Sequence, residues 1–259
     1  MHYEHISMVA EGPFAVVTMR RPERRNALSE THLRELLDAF QRIGDGDARG
    51  AILAAEGPVF SAGHDFADMQ GRDLAAMRRL LLLCSDVMQT LHSIPQPVIA
   101  QVTGLATAAG CQLVASCDLA VAGASSRFQV PGGKGGWFCT TPGVALARAI
   151  GAKHALEMLL TGDPIDAPAA LAWGLVNRVV PDEAVAAETR ALLARATRGS
   201  ASAKALGKQA FHRQVDLELP AAYAYATEVM AAASQTDDAR EGVNAFLEKR
   251  TPRFDSRSG

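Results

Sequence analysis

The sequence predicts an α/β fold with a parallel sheet, followed by a helical region. Two observations carry this. Short Val-, Ile- and Ala-rich runs alternate with stretches of helical periodicity through the first 180 residues, whereas Pro181 to Lys249 reads as helix alone. Strand–helix alternation favours parallel pairing with right-handed crossovers. The chain therefore divides into an α/β core, residues 1–180, and a helical C-terminal region, residues 181–259.

Each element has its own signal. Phe14 to Met19 is a short Val-containing run bounded by Pro13 and an arginine-rich stretch, and reads as a buried strand. Ser29 is an N-cap candidate, and Leu33, Leu36, Leu37, Phe40 and Ile43 then share one helical stripe that Gly44 ends. Ala51 to Ala55 is a second strand, followed by a polar loop over Gly57–Asp65. Met77, Leu80, Leu81, Val87, Met88 and Leu91 mark another amphipathic helix, closed by Pro95 and Pro97. Val98 to Val102 is a third strand and Gly104–Gly110 a small-residue turn. A short helix is expected from about Cys111, and a strand over Asp118–Ala122.

Composition limits the function classes. Of 259 residues, 48% are hydrophobic and 21% charged, which suits a packed globular chain rather than a disordered one. With 26 Lys+Arg against 28 Asp+Glu, net charge −2 gives no general attraction to nucleic acid or an anionic membrane. A polyanionic ligand would need a local positive cluster. Four cysteines without metal-ligand spacing read as reduced thiols, with Cys111 and Cys117 buried for structural reasons. Met1 runs almost directly into strand-like sequence, so no leader is expected, and the apolar run Leu80–Cys84 is too short for a bilayer. The expected location is cytoplasmic.

Three motif-like stretches fail on inspection. Asp45, Asp47, Gly50, Ile52 and Glu56 mimic a calcium loop, but Arg49 stands at a ligand position and Gly57-Pro58 prevents an exit helix. Gly132-Gly133-Lys134-Gly135-Gly136 lacks the spacing and the hydroxyl residue of a phosphate loop. His2, His5, His32, His64, His92, His154 and His212 include no metal-binding pattern, so no metal is expected.

Two segments combine small residues, a tight turn and a following helix: Phe60–Asp65 and Gly104–Cys111. Each lies beyond the carboxyl end of an expected parallel strand, where open α/β sheets bind ligands. Backbone N–H groups in such turns, with a helix dipole behind one of them, can hold negative charge on a carbonyl oxygen. On composition alone, two ordinary glycine-containing turns are the simpler reading.

The runs Arg21–Ser29, Phe60–Asp65 and Gly104–Asp118 occur in order, followed by Pro142-Gly143, Leu159–Gly162 and Ala172–Val176. In these motifs and their spacing the chain resembles the crotonase (enoyl-CoA hydratase/isomerase) superfamily, closely over residues 12–182 and more loosely beyond. Ala106–Asp118 and Phe138–Ala149 make it most similar to the group of enoyl-CoA hydratase domain-containing protein 3. The resemblance implies a spiral of repeated β-β-α units, a C-terminal helical trimerisation region, and assembly as a homotrimer or a dimer of trimers. It implies an acyl-CoA thioester as substrate or ligand, with no separate cofactor, in the lyase chemistry of fatty acid metabolism. By position, the oxyanion donors would be the backbone N–H groups of His64 and Ala109. The Ala62, Gly63, His64 and Asp65 backbone would hold the adenine and pantetheine portions, and Arg25 and Ala27 would contact CoA. Arg24 and Arg25 either supply positive charge for the phosphates or form a solvated basic turn.

The chain departs from the family's hydratases at both catalytic glutamates, whose positions hold Gln112 and Gly132, the latter after Pro131. Gln112 can hydrogen-bond water but does not titrate near neutrality, and Gly132 has no side chain. A positioned acid or base contributes about 10²–10⁴ in rate, so standard hydration is expected to be weak or absent. Replacing both residues by glutamate is expected to return hydratase activity in an intact pocket. Thr140 and Thr141, near an aspartate position of other members, are not bases. His64 is a weaker candidate as a base than as an N–H donor. Asp65 and Asp68 read as loop braces, Cys139 as a buried thiol and Asp118 as structural. Two hypotheses stand: an acyl-CoA enzyme with non-standard proton transfer, and a non-catalytic acyl-CoA sensor or partner. The failed phosphate and dinucleotide patterns weaken a nucleotide-dependent enzyme.

Overall fold

Side chains alternate in direction along a strand, and here both directions are buried. In the computed structural model, which describes residues 3–254, Ala15, Val17 and Met19 face one hydrophobic layer while Val16 faces another. The same division separates Ala51 and Leu53 from Ile52 and Ala54, and Val98, Ala100 and Val102 from Ile99.

The chain opens with β1 (Ile6–Glu11) and β2 (Phe14–Met19), joined through Gly12 at φ +60°. Helix α1 (Glu30–Gly44) begins at Ser29, whose hydroxyl accepts the His32 N–H, and leads to β3 (Gly50–Ala55) and β4 (Val59–Ser61). A single turn, α2 (Phe66–Met69), precedes the long α3 (Leu74–Ser93) and β5 (Val98–Val102). Then follow β6 (Leu105–Thr107), α4 (Ala109–Ser116), β7 (Leu119–Gly123) and β8 (Arg127–Gln129). Helix α5 (Thr140–Thr161) is broken at Gly151, where φ is +77°, and is followed by β9 (Ile165–Asp166), α6 (Ala167–Trp173) and β10 (Arg178–Val180). The tail holds α7 (Val185–Ala196), α8 (Ala201–Gln214), α9 (Leu219–Ala233) and α10 (Asp237–Leu247). The last residues of the expected helical region, 255–259, and His2 lie outside the described residues.

Two sheets result among the described residues. One runs β1-β2-β3-β5-β7-β10, the other β4-β6-β8-β9. Pairing is parallel except for β1–β2 and β8–β9. The expectation of purely parallel pairing fails at β1 because a connection as short as Gly12-Pro13 permits only a hairpin. The Gly104–Gly110 segment is also more than a turn. It contains β6, and α4 starts at Ala109, two residues before the expected Cys111. The calcium-like stretch is the turn after α1 running into β3.

Helices α1, α3, α4 and α5 cover one face of the large sheet, while Val185 and Leu193 of α7 close the other. The fit at α7 is tight: a Cβ on Gly50 would come within 2.6 Å of Leu193. Cys84, Cys111, Cys117 and Cys139 are all unpaired and buried, as expected for Cys111, Cys117 and Cys139. No described helix is long and apolar enough to cross a membrane.

Helix α8 is tied to the core through Asp118. That carboxylate accepts the Val98 N–H (2.7 Å), pairs with Lys208 (2.7 Å) and faces Nε2 of His212 (3.1 Å). Lys208 also donates to the carbonyls of Leu91 and Gln96, closing the end of α3. Asp118 is thus structural, as its sequence position suggested.

His92 stacks on His212, with ring centroids 4.1 Å apart. Burial, then repulsion from His212, lowers its pKa to about 4 from 6.5. The unfolded chain therefore binds a proton there more tightly than the folded one. Its contribution to stability is full above pH 6.5 and is lost as pH falls toward about 4. In urea titrations across that range, His92→Phe, which keeps a stacked ring, should flatten part of the decline. An unchanged slope would show that folding does not sense the His92 charge.

Candidate functional site

The first turn is built around Asn26, a fully buried residue at φ +51°. Its amide donates to the carbonyls of Glu56 (2.9 Å) and Val59 (2.8 Å), and its Oδ1 accepts the Arg21 N–H (2.8 Å). The Ser61 hydroxyl donates to the Asn26 carbonyl and accepts the Gly63 N–H. The Ala62 N–H is committed to the Arg25 carbonyl, and the Asp65 N–H to the Leu28 carbonyl. The Leu28–His64 bridge runs through the Gly63 carbonyl and the Asp65 N–H. It engages neither backbone group of His64. Among the amides of Ala62–Asp65, the His64 N–H alone is left uncommitted.

Charged side chains brace this turn. Arg21 donates to the Ala27 carbonyl, the Ser29 hydroxyl and Asp65. Asp65 caps α2 through the Ala67 N–H, and Asp68 accepts the Glu30 N–H and pairs with Arg72. Asp65 and Asp68 are the braces the sequence suggested. Arg21 was missed, because one arginine among four in Arg20–Arg25 carries no distinguishing signal. Arg24 and Arg25 are exposed and Ala27 is half-buried.

The second turn presses against the first. Ala108 stands at φ +51°, ψ −119°, a conformation that costs a non-glycine residue about 1–3 kcal/mol. Its N–H is held by the Gln129 carbonyl at 2.8 Å. A Cβ on Gly63 would lie 3.1 Å from the Ala109 nitrogen, and one on Gly110 only 2.5 Å from the Ser61 carbonyl oxygen. The turns are therefore in backbone contact. Ala109 opens α4, and the first amides of a helix have no acceptor within it.

Three buried polar side chains of these turns and of α4 lack a well-formed hydrogen bond. They are the His64 imidazole, the Thr107 hydroxyl and Oε1 of Gln112. Folded proteins leave few such groups unpaired, so each of these three, like Nε2 of His32 and Oε1 of Gln96 elsewhere, has capacity for water or a ligand. Burial lowers the His64 pKa, partly opposed by the Leu28 carbonyl and Asp68, and the ring is neutral at pH 7. Gln112 is 4% exposed, on the first turn of α4.

Gly132 does not leave an open slot for a carboxylate. It is the second residue of the Pro131–Gly135 turn, and a Cβ there would meet the Trp137 carbonyl oxygen at 2.2 Å and the Cys139 sulfur at 2.6 Å. The expectation that glutamates at 112 and 132 would return hydratase activity is thereby corrected: backbone and thiol fill the space the second glutamate needs. Cys139 is a thiol rather than a thiolate, since burial raises its pKa, and burial pushes Cys111 to about 12. Thr140 is exposed and Thr141 half-buried, at the start of α5.

Even Gly132→Ala should lower stability by about 1–3 kcal/mol, as overpacked sites do. Gly132→Glu should displace residues 137–139 and lower the melting temperature further. A Gly132→Glu protein as stable as the parent would show that the segment yields freely.

Residues 10–257 match the model of the enoyl-CoA hydratase/isomerase family. The mitochondrial enoyl-CoA hydratase domain-containing protein 3 of Mus musculus is 46% identical over 240 residues, covering 91% of this chain and 79% of the relative. The crystal structure of the human domain-containing protein 3 superposes with a TM-score of 0.93 at 41% identity, over 96% of this chain and 100% of that one. An enoyl-CoA hydratase of Mycobacterium smegmatis gives 0.93 at 43% identity, over 96% and 98%. The mixed α/β architecture with its C-terminal helices is the one seen in those structures. With the family model spanning nearly its whole length, the chain belongs to the enoyl-CoA hydratase/isomerase family.

Proposed function

We propose that this protein binds an acyl-CoA thioester and polarises its carbonyl between the backbone N–H groups of His64 and Ala109. The observation that carries this reading is the backbone contact of the two turns, with the His64 amide uncommitted and the Ala109 amide at a helix start. Two such donors stabilise an oxyanion or enolate, and losing one typically costs about 10²–10³ in rate. Of the Ala62–Asp65 backbone, the amides of Ala62, Gly63 and Asp65 are committed within the chain. An adenine 6-amino group would therefore be met by a backbone carbonyl oxygen of this segment rather than by its amides. The exposed Arg24 and Arg25 would meet the phosphates.

Proton transfer in this reading does not use the standard pair. Gln112 can orient a water or a substrate hydroxyl, and the neutral His64 ring is the titratable group within the turns. The filled space at Gly132 favours a second reading, an acyl-CoA-binding protein with little or no catalysis. Assembly as a trimer or a dimer of trimers is supported by the tail. Helix α9 exposes Leu219, Tyr223 and Met230, and α10 exposes Val243, Phe246 and Leu247, an apolar surface that suits a neighbouring copy. A reducing compartment, such as the cytoplasm, suits four unpaired buried thiols.

Calorimetry with CoA thioesters, alongside turnover of crotonyl-CoA and a small acyl-CoA panel, tests this. Binding should be measurable, with crotonyl-CoA hydration at least about 10²-fold below that of a hydratase carrying both glutamates. Binding without turnover of any ester would select the second reading. No binding of any CoA ester would overturn both, and brisk hydration would overturn the argument from Gln112 and Gly132.

A further inference from the structure

A pair of N–H donors aimed at a carbonyl oxygen serves reactions that build negative charge there, and an enolate is one such charge. The common route to an enolate begins when a base removes the α-proton. Here the positions for such a base carry a neutral carboxamide, Gln112, and Gly132, whose side-chain space is filled by the Trp137 carbonyl and the Cys139 sulfur. Two nearby carboxylates are already spent. Asp65 pairs with Arg21 and caps α2, while Asp68 pairs with Arg72 and accepts the Glu30 N–H. Such a site makes an enolate most readily from a substrate that loses something other than a proton from its α-carbon.

The surroundings of Gln112 suit a carboxylate as that group. Gln112 stands three residues beyond Ala109, so the two share one face of α4, about 4.5 Å apart along the axis. Helix side chains lean toward the N-terminus, which brings the carboxamide toward the Ala109 amide. A carboxylate on the carbon next to the bound carbonyl falls within its reach. The Gln112 side chain is buried, 4% exposed, and its Oε1 has no partner. Half a turn about its last bond presents the N–H groups in the same place, as donors to a carboxylate. The cations that brace the first turn, Arg21 and Arg72, are engaged by Asp65, Asp68 and Glu30, and Arg24 and Arg25 are exposed. A buried charge held by a neutral amide without a paired cation is costly, and its departure as carbon dioxide removes that cost.

We propose that this protein decarboxylates a 2-carboxyacyl-CoA, a thioester of the malonyl type, with Gln112 holding the departing carboxylate. The proposal rests on the reading that the His64 and Ala109 amides bind a CoA thioester carbonyl. The bond from the α-carbon to the carboxylate breaks, and its electron pair forms the enolate double bond as the carbonyl pair moves onto oxygen. Carbon dioxide leaves, and the two N–H groups hold the enolate oxygen. Water then protonates the α-carbon as the carbonyl re-forms, and the hydroxide left behind combines with carbon dioxide as bicarbonate. The substrate's own carboxylate supplies the electron pair, so the step needs no base from the protein. A glutamate at position 112 would set a second negative charge beside the one being held.

The test incubates the full chain with malonyl-CoA, methylmalonyl-CoA and succinyl-CoA, following bicarbonate and free CoA thiol, with calorimetry of each ester and of acetyl-CoA alongside. Malonyl-CoA or methylmalonyl-CoA should lose carbon dioxide at least about 10²-fold faster than in buffer alone, the least that one oxyanion donor supplies. No thiol should appear at that rate. Succinyl-CoA should stay intact, because its carboxylate is one carbon too far for the electron pair to reach the thioester oxygen. Gln112→Glu should weaken malonyl-CoA about tenfold relative to acetyl-CoA, as a buried like charge does. If the malonyl-type esters bind and keep their carboxylates, or if that affinity ratio is unchanged in a folded Gln112→Glu protein, the proposal falls and the thioester reading stands. Thiol released as fast as bicarbonate would also overturn it, in favour of hydrolysis. If no CoA ester binds, the failure lies with the thioester reading itself. The wild-type series decides the matter even where the variant does not fold.

Discussion

The buried carboxamide of Asn26 fixes the position of nearly everything else in the site. An isolated turn of Arg25 and Asn26, both in the left-handed region, would be strained and mobile. Two hydrogen bonds from its side chain tie that turn to Glu56 and Val59, a third closes it on the Arg21 N–H, and Ser61 adds a fourth through the Asn26 carbonyl. With these in place, Ala62 has no acceptor but Arg25, and Leu28 meets Gly63. The His64 amide is left over as a consequence. It is not selected by any contact of its own.

That constraint propagates to the second turn through space. Gly63 and Gly110 admit no side chain because the two backbones touch there, and Gly104 would drive a Cβ into the Pro58 carbonyl oxygen at 1.9 Å. Ala108 accepts an unfavourable conformation at the same place. Strain at a non-glycine residue persists only where its surroundings over-determine it. Here they do so by anchoring the Ala108 N–H on β8 and packing the start of α4 on β4. The two turns are therefore rigidly held, while the positions of the expected acid–base pair carry no carboxylate. Gly132 is closed by Trp137 and Cys139, and the polar groups left open are Gln112, His64 and Thr107. Such a site can stabilise negative charge on oxygen, but it has no strong base near neutrality.

Much of this was legible in the sequence, for identifiable reasons. Strand β2, helix α1 with its Ser29 cap, and strand β5 fall where periodicity and capping place them, because each buries enough apolar surface to impose a pattern. Strand β1 was visible only as strand-like sequence near Met1 without bounds, because only Ile6 of its six residues is buried and no alternation survives. The second sheet was hidden because β4, β6, β8 and β9 are two or three residues long, below any pattern's reach. For the site, motif spacing singled out His64, Ala109, Gln112 and Gly132, which lie in the first turn, at the start and on the first turn of α4, and in the Pro131–Gly135 segment. It was silent on Asn26 and Arg21, whose roles depend on contacts across 30 residues or more. It was also silent on Gly132 being filled rather than merely empty.

The tail extends the same logic to the other end of α4. Asp118 follows that helix directly and is shared by β5, Lys208 and His212, so the helix bearing Gln112 ends at the anchor that seats α8. Paired buried charges are costly to break, since removing one partner leaves the other unsolvated, by about 3–5 kcal/mol. The position of α8 is thereby coupled to the register of α4, and the cleft that opens between α3, α4, α5 and α8 is bounded by structure rather than by loop.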